Sequence, residues 1–270
     1  MTDPADWSRA ADPARRIGHA VEFHSEIGST NDRARAALTE PAGEGLAIVA
    51  DLQTAGRGRR GRTWTSPPGA NLLFSVALRP AVAPRLAGLL GIAAALAVRD
   101  GCASLAPDAG LAIRWPNDVV DRDGHKLAGL LVETALERGE LVEAVVGIGI
   151  NVNWRVADMP PEIAPTATSL LALVGARIDR AVLLGRVLDG LDEEFRVLER
   201  GETPVVRLRA CSWLDGRQVE LDTGTEIVSG RVGGIADDGS LLLDAEIGRL
   251  ALTAGEVARV YDLAPAAARS

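Results

Sequence analysis

The sequence predicts an α+β chain in two units, a domain of mixed strands and helices followed by a small all-β barrel or sandwich. Three observations carry that prediction. Strand-length apolar runs alternate with helical patterns up to about residue 210. Within that region the runs 111–120, 126–136 and 141–152 follow one another with only the polar breaks DRDGH and ERGE between them, as antiparallel neighbours can and a doubly wound parallel sheet cannot. From Cys211 the texture changes to short strands broken by turns such as DTGT and ADDG. The expected domains are therefore 21–210 and 211–263, with 1–20 as a loosely ordered lead-in and 264–270 as a tail.

Taken in order, residues 1–20 mix Ala, Asp, Arg and Pro without periodicity and are too few for a helix-turn-helix. VEFHSEI, from Val21, predicts a strand, and Ser29 or Thr30 is placed to cap a helix through NDRARAAL. GLAIVADLQ is a buried strand ending at Gln53. After Pro67 and Pro68, ANLLFSVALRP is a strand stopped by Pro80. PRLAGLLGIAAALAVRD, from Pro84, is a helix whose small residues permit close packing. LAIRWPNDVV, KLAGLLVETAL and LVEAVVGIGINV are strands, and residues 178–199 return to a helical pattern. RQVEL, TEIVSGRVGGI, SLLLD, RLAL and EVARVYDL then supply the small β unit, about 50 residues in all.

Composition excludes several functions. A chain of 270 residues that is 47% hydrophobic can bury a sizeable core, which argues against disorder. Its formal charge of -8 is the opposite of what phosphate-backbone binding by the whole surface requires, so any anion site is local. Cys102 and Cys211 form no CxxC pair, and His19, His24 and His125 show no ligand spacing, so neither a disulfide framework nor a protein-only metal site is expected. No signal-peptide pattern opens the chain, and the longest apolar stretch, LAGLLGIAAALAV, has 13 residues, too few for a membrane span. The expectation is a cytoplasmic protein without a membrane or DNA partner.

Twenty-eight of the 29 cationic side chains are arginine, and the single lysine is Lys126. A coding bias toward arginine sweeps lysine out wherever charge alone is wanted. The position that resists it needs a compact ammonium on a slim stem rather than a wide planar fork.

QTAGRGRRGRTW, residues 53–64, places four guanidiniums on a glycine-rich loop. GRGRRGRT within it matches phosphate-loop spacing except that Arg62 stands where lysine belongs. A phosphate loop opens directly into a helix, however, whereas TWTSPPGAN brings two prolines. A single such tract between two core strands is also unlike the disordered arginine-glycine segments that bind RNA. A plain solvated loop leaves the clustering unexplained, because neighbouring guanidiniums repel until an anion arrives. The loop is expected to take a polyphosphate, to be poorly ordered when empty and to close over the ligand when filled.

GSTN (28–31), QTAGRGRRGRTW (53–64), GANL (69–72), RWPND (114–118), KLAGLL (126–131) and GIGINV (147–152) stand in the order seen in the biotin protein ligases, which the chain resembles over about residues 21–260. The resemblance implies a mixed-sheet catalytic domain and an SH3-like C-terminal barrel. It implies that a biotin carboxylate attacks the α-phosphate of ATP, carried with Mg²⁺, to give biotinyl-5′-AMP. The biotinyl group then passes to a lysine of the biotin carboxyl carrier domain of an acyl-CoA carboxylase, and the enzyme is a monomer or homodimer. On this reading Ser29, Thr30, Asn31, Gln53, Gly56, Arg57, Gly58, Arg59, Lys126 and Gly129 contact biotin. Arg57, Arg59, Arg62, Trp64, Asn117, Lys126 and Asn151 contact the nucleotide. Lys126, Arg57 and Arg59 act in catalysis, with Lys126 bridging the carboxylate and the α-phosphate. Trp64 is open between pocket wall and core residue, and Asp118 between a contact to Mg-ATP and a turn residue after Pro116.

Two departures from the family pattern stand out. Many members read KWPND, so Arg114 is taken as a charge-equivalent surface swap, and many carry an N-terminal winged helix for which 20 residues leave no room. The alternatives are a lipoate or octanoate ligase or transferase of the same fold, and a noncatalytic biotin-responsive binding protein. The arginine loop speaks against the first, and the expected lack of a DNA or partner domain against the second.

Overall fold

The computed structural model describes residues 7–261. β1 (Val21–Ile27) and β2 (Ala47–Gln53) are joined by α1 (Thr30–Ala37), which begins where GSTN ends the first strand. β3 (Leu72–Leu78) alternates large side chains on one face with Ser75 and Ala77 on the other. After a 3₁₀ turn at Pro84–Leu89 comes α2 (Leu90–Ala103), and then the short strands β4 (Ala112–Arg114) and β5 (Asp118–Val120). The long hairpin of β6 (Lys126–Glu137) and β7 (Glu140–Ile150) leads to α3 (Leu170–Val174), α4 (Arg180–Glu199) and α5 (Val205–Ala210). β8 (Gln218–Asp222), β9 (Ile227–Ile235), β10 (Leu241–Ala245), β11 (Gly248–Leu252) and β12 (Glu256–Val260) complete the chain.

The first seven strands form one mixed sheet in the order β1-β2-β3-β7-β6-β5-β4, parallel between β1 and β2 and antiparallel elsewhere. Leu72, Phe74, Val76 and Leu78 point to the face covered by α2 and α4, where most of the core lies. The two helices approach closely because glycine stands at their contact: a Cβ on Gly101 would come within 2.7 Å of Val187. Ala34, Leu38, Ile48, Ala77 and Val145 form a small cluster under α1 on the opposite face. The run Pro84–Ala103 is long and apolar enough to cross a membrane, but here much of it is buried between the sheet and α4.

β8 to β12 form an antiparallel sheet in the order β11-β10-β9-β8-β12, consistent with an SH3-like barrel whose ladder is left open between β11 and β12. Its apolar residues Val219, Leu221, Val232, Leu241 and Leu243 join the core of the larger domain, and Trp115 Nε1 donates to the carbonyl of Gly239 at 3.0 Å.

The structure corrects three expectations. Residues 7–20 are packed rather than loosely ordered: Trp7, Ala10 and Ile17 are buried, and Asp192 accepts from the amides of Arg16 and Ile17. Residues 1–6 and the tail 264–270 lie outside the described residues. LAIRWPNDVV is not one strand but the hairpin of β4 and β5, turned at Trp115–Asn117 with a cis Trp115–Pro116 peptide. Cys211 and Trp213 pair with the backbone of Ile113, so residues 211–214 extend the first domain instead of opening the second.

Candidate active site

On the face of the sheet that carries α1, β6 and β7 present Gly129, Gly147 and Gly149, while Leu130 and Ile148 between them point into the core. No side chain larger than hydrogen fits there. A Cβ would lie 2.1 Å from Asn31 at Gly147, 2.4 Å from Trp64 at Gly149 and 2.8 Å from Lys126 at Gly129. The glycines floor a cleft of about 530 Å³.

One end of the cleft is lined by uncharged polar groups. Ser29 is the N-cap of α1 with extended backbone, but its side chain makes no capping hydrogen bond. Thr30 instead donates its backbone N–H to Gln53 Oε1 at 2.8 Å, which ties the helix start to the end of β2. Ser75 donates to Asn31 Oδ1 at 2.6 Å, and Asn31 Nδ2 donates to Glu133 Oε2 at 2.8 Å. These hydroxyls and amides offer both donors and acceptors to a flat, uncharged polar ring.

The other end is charged. Lys126 opens β6, and its Nζ lies 2.7 Å from Asp118 Oδ1. Arg114 Nη2 donates to Asp118 Oδ2 at 2.9 Å. Burial alone would raise the Asp118 pKa, but Lys126 and Arg114 hold it below the usual carboxylate value. Arg114 is thus no surface swap: it is part-buried, lines the cleft and also reaches the carbonyl of Gly124. Asp118 is more than a turn residue, since both its oxygens hold cations. Trp64 is a wall of the cleft, its ring on the glycine floor and 5.6 Å from Lys126 Nζ.

The arginine loop lies over this end, and the expectation of guanidiniums left to repel one another is corrected. Arg57 forks onto Asp32 at 2.8 and 2.7 Å. Arg59 donates to Asn117 Oδ1 at 3.0 Å and to the carbonyl of Gly255 at 3.2 Å, and burial pulls its pKa down. Arg60 pairs with Asp222 at 2.6 Å, and Arg62 pairs with Glu256. The protein itself supplies the partners: carboxylates for Arg57, Arg60 and Arg62, the last two from the barrel, and neutral oxygens from both units for Arg59.

Thirteen of the residues expected at the site line this one cleft: Ser29, Thr30, Asn31, Gln53, Arg57, Gly58, Arg59, Arg62, Trp64, Asn117, Asp118, Lys126 and Gly129. Two do not. Gly56 lies at the base of the loop, where a Cβ would meet the Trp64 carbonyl at 2.6 Å. Asn151 is buried beside Lys126, and its amide donates to the carbonyls of Thr168 and Lys126. Sequence reading missed Glu133, Glu256 and Arg259; the first carries no motif, and the others come from the barrel. Asp121, Asp123 and His125 bring possible cation ligands within 4.8 Å of one another. Asp121 already accepts from the amides of Asp123 and His125, however, and the group reads as a turn.

Comparison with known proteins agrees with this geometry. Residues 26–151 match the Biotin/lipoate A/B protein ligase family, and residues 216–260 match the Biotin protein ligase C terminal domain. The chain is 35% identical over 237 residues to the bifunctional ligase/repressor BirA of Bacillus subtilis, covering 86% of this chain and 71% of that protein. It is 37% identical over 246 residues to the biotin–[acetyl-CoA-carboxylase] ligase of Mycobacterium tuberculosis, 88% of each. A solved structure of biotin protein ligase from Aquifex aeolicus in complex with biotin and ATP matches with a TM-score of 0.76 at 30% identity, over 90% of this chain and 99% of that one.

Proposed function

The chain belongs to the biotin protein ligase family, and from that premise we propose that its cleft joins biotin to ATP and then to a carrier lysine. The observation that carries this reading is the placement of the one lysine of the chain, between an uncharged polar end and a loop of four arginines. Biotin lies with its ureido ring among Ser29, Thr30, Asn31 and Gln53, and its carboxylate toward Lys126. The carboxylate oxygen attacks the α-phosphorus of Mg-ATP, and the bond to the bridging oxygen breaks to release pyrophosphate. Lys126 leaves Asp118 to hold the carboxylate and the α-phosphate together, while Arg57, Arg59 and Arg62 take the phosphates, with the adenine against Trp64. A carrier lysine, as the free amine, then attacks the acyl carbon and AMP leaves.

The acceptor is the biotin carboxyl carrier domain of an acyl-CoA carboxylase, met in the cytoplasm by a monomer or homodimer that needs no DNA or membrane. Protein mixed with Mg-ATP and either biotin or lipoate separates the readings. Mass spectrometry should find biotinyl-AMP, and a carrier domain added afterwards should gain one biotinyl group on its lysine. A lipoyl adduct in place of the biotinyl one would move the protein to the lipoate branch of the fold, and ligand binding with no adduct would make it a binding protein.

A further inference from the structure

Trp213 lines the cleft and also a second, open depression of about 640 Å³ where the barrel meets the first domain. Three guanidiniums, those of Arg99, Arg217 and Arg231, line this depression, and we propose that it binds a phosphate group. Arg217 is held in place twice: its Nε donates to the Trp213 carbonyl at 2.7 Å, and its guanidinium carbon lies 4.2 Å from the centre of the Trp213 ring. That leaves its two Nη groups to meet a ligand. Arg231 stands beside it on β9. The amide of Gly216 donates to the Val232 carbonyl at 3.0 Å, the amide of Val232 donates to the Arg217 carbonyl at 2.8 Å, and Arg231 Nη2 lies 3.7 Å from where a Cβ on Gly216 would stand. Arg99 reaches in from α2, with Nε on the Leu111 carbonyl at 3.0 Å and Nη1 on Asp100 at 2.6 Å. Asp100 also holds Arg207, so its charge is shared between two cations.

In the arginine loop the chain answers most of the crowded guanidiniums with its own carboxylates; here it does not. Among the described residues, neither Arg217 nor Arg231 has a carboxylate oxygen within 4.0 Å. Asp215, exposed, is the one acidic residue that lines the depression. Three cations against one anion reverse, locally, the sign of a chain whose net charge is -8. An oxyanion relieves their mutual repulsion and accepts N–H donors from more than one fork. The lining also decides the size of the ligand. The Trp213 ring already carries Arg217 and packs against Gly124, where a Cβ would lie 2.2 Å away, so it offers a nucleobase no place to stack. The ligand is therefore inorganic phosphate or a phosphomonoester whose organic part stays in solvent. The inference does not depend on the proposed adenylation, whose phosphates lie on other arginines.

Labelling of arginines with phenylglyoxal, mapped by mass spectrometry of peptides cut at acidic residues, reads the site on the wild-type chain. Inorganic phosphate at low ionic strength, compared with chloride at matched ionic strength, should slow the labelling of Arg217 and Arg231 about fivefold or more. Arg155, exposed and outside both the depression and the cleft, should react as before. Ribose 5-phosphate, used in place of phosphate, separates the two sources. Protection by phosphate shows that the free anion suffices, and protection by the ester alone places the anion on an organic carrier. Arg231→Gln should raise the phosphate midpoint for protection of Arg217 about fivefold or more, and Asp215→Asn should lower it. Labelling of Arg217 and Arg231 that neither phosphate nor the ester slows beyond chloride overturns the proposal. So does equal slowing at Arg155, or a midpoint that Arg231→Gln leaves unchanged.

Discussion

A carboxylate held between an arginine and the only lysine in the chain is the smallest unit on which the function rests. Asp118 keeps the Lys126 ammonium at the floor of the cleft until anions compete for it. Lys126→Arg keeps the charge but replaces a point donor with a wide fork, so adenylate formation should fall by about 10² or more, while the melting temperature stays within a few degrees. A stopped assay for pyrophosphate beside a thermal melt checks both. The Asp118 pair also has a pH signature. Its folded pKa is depressed, so its stabilisation is complete above the unfolded value of about 3.9 and is lost as pH falls through the lower folded value. Melting temperature should therefore drop more steeply below about pH 4 in the wild type than in Asp118→Asn, and parallel curves would detach Asp118 from that loss.

At the scale of elements, the arginine loop is held by the barrel as well as by its own domain. Arg60 and Arg62 meet Asp222 and Glu256, pairs partly exposed to solvent and therefore worth up to about 1 kcal/mol each. Reversing both carboxylates to lysine should raise the rate of tryptic cleavage between Arg57 and Arg62 about fivefold to tenfold, and biotin with ATP should restore protection. Equal rates in wild type and variant would show that the barrel does not hold the loop. Arg59→Gly should loosen retention of the adenylate more than it slows its formation, read as biotinylation of bystander amines.

The contrast shows what a sequence reveals at this scale. GSTN, the arginine loop and KLAGLL were legible because each is a local pattern whose spacing already implies a helix start, a loop or a strand. The partners of the loop were not, since Asp222, Gly255 and Glu256 stand more than 160 positions away and look like ordinary turn and edge residues. The turn that splits LAIRWPNDVV was hidden because its apolar residues suit one buried strand as well as two short ones.

Over the whole molecule, two units share one core and one cleft, with the glycine floor from the first and part of the rim from the second. The same 270 residues hold a single side-chain amine, so chemistry at Lys126 can be counted on the intact protein. The direct test is labelling with an amine-reactive reagent, followed by intact mass, with and without biotin and Mg-ATP. Two sites can react, Lys126 and the N-terminal amine. If Lys126 lies between the biotin carboxylate and the α-phosphate, the two substrates together should slow its labelling about tenfold or more while the N-terminus reacts as before. Labelling of Lys126 at the same rate in the presence of both substrates would contradict its place at the reaction centre.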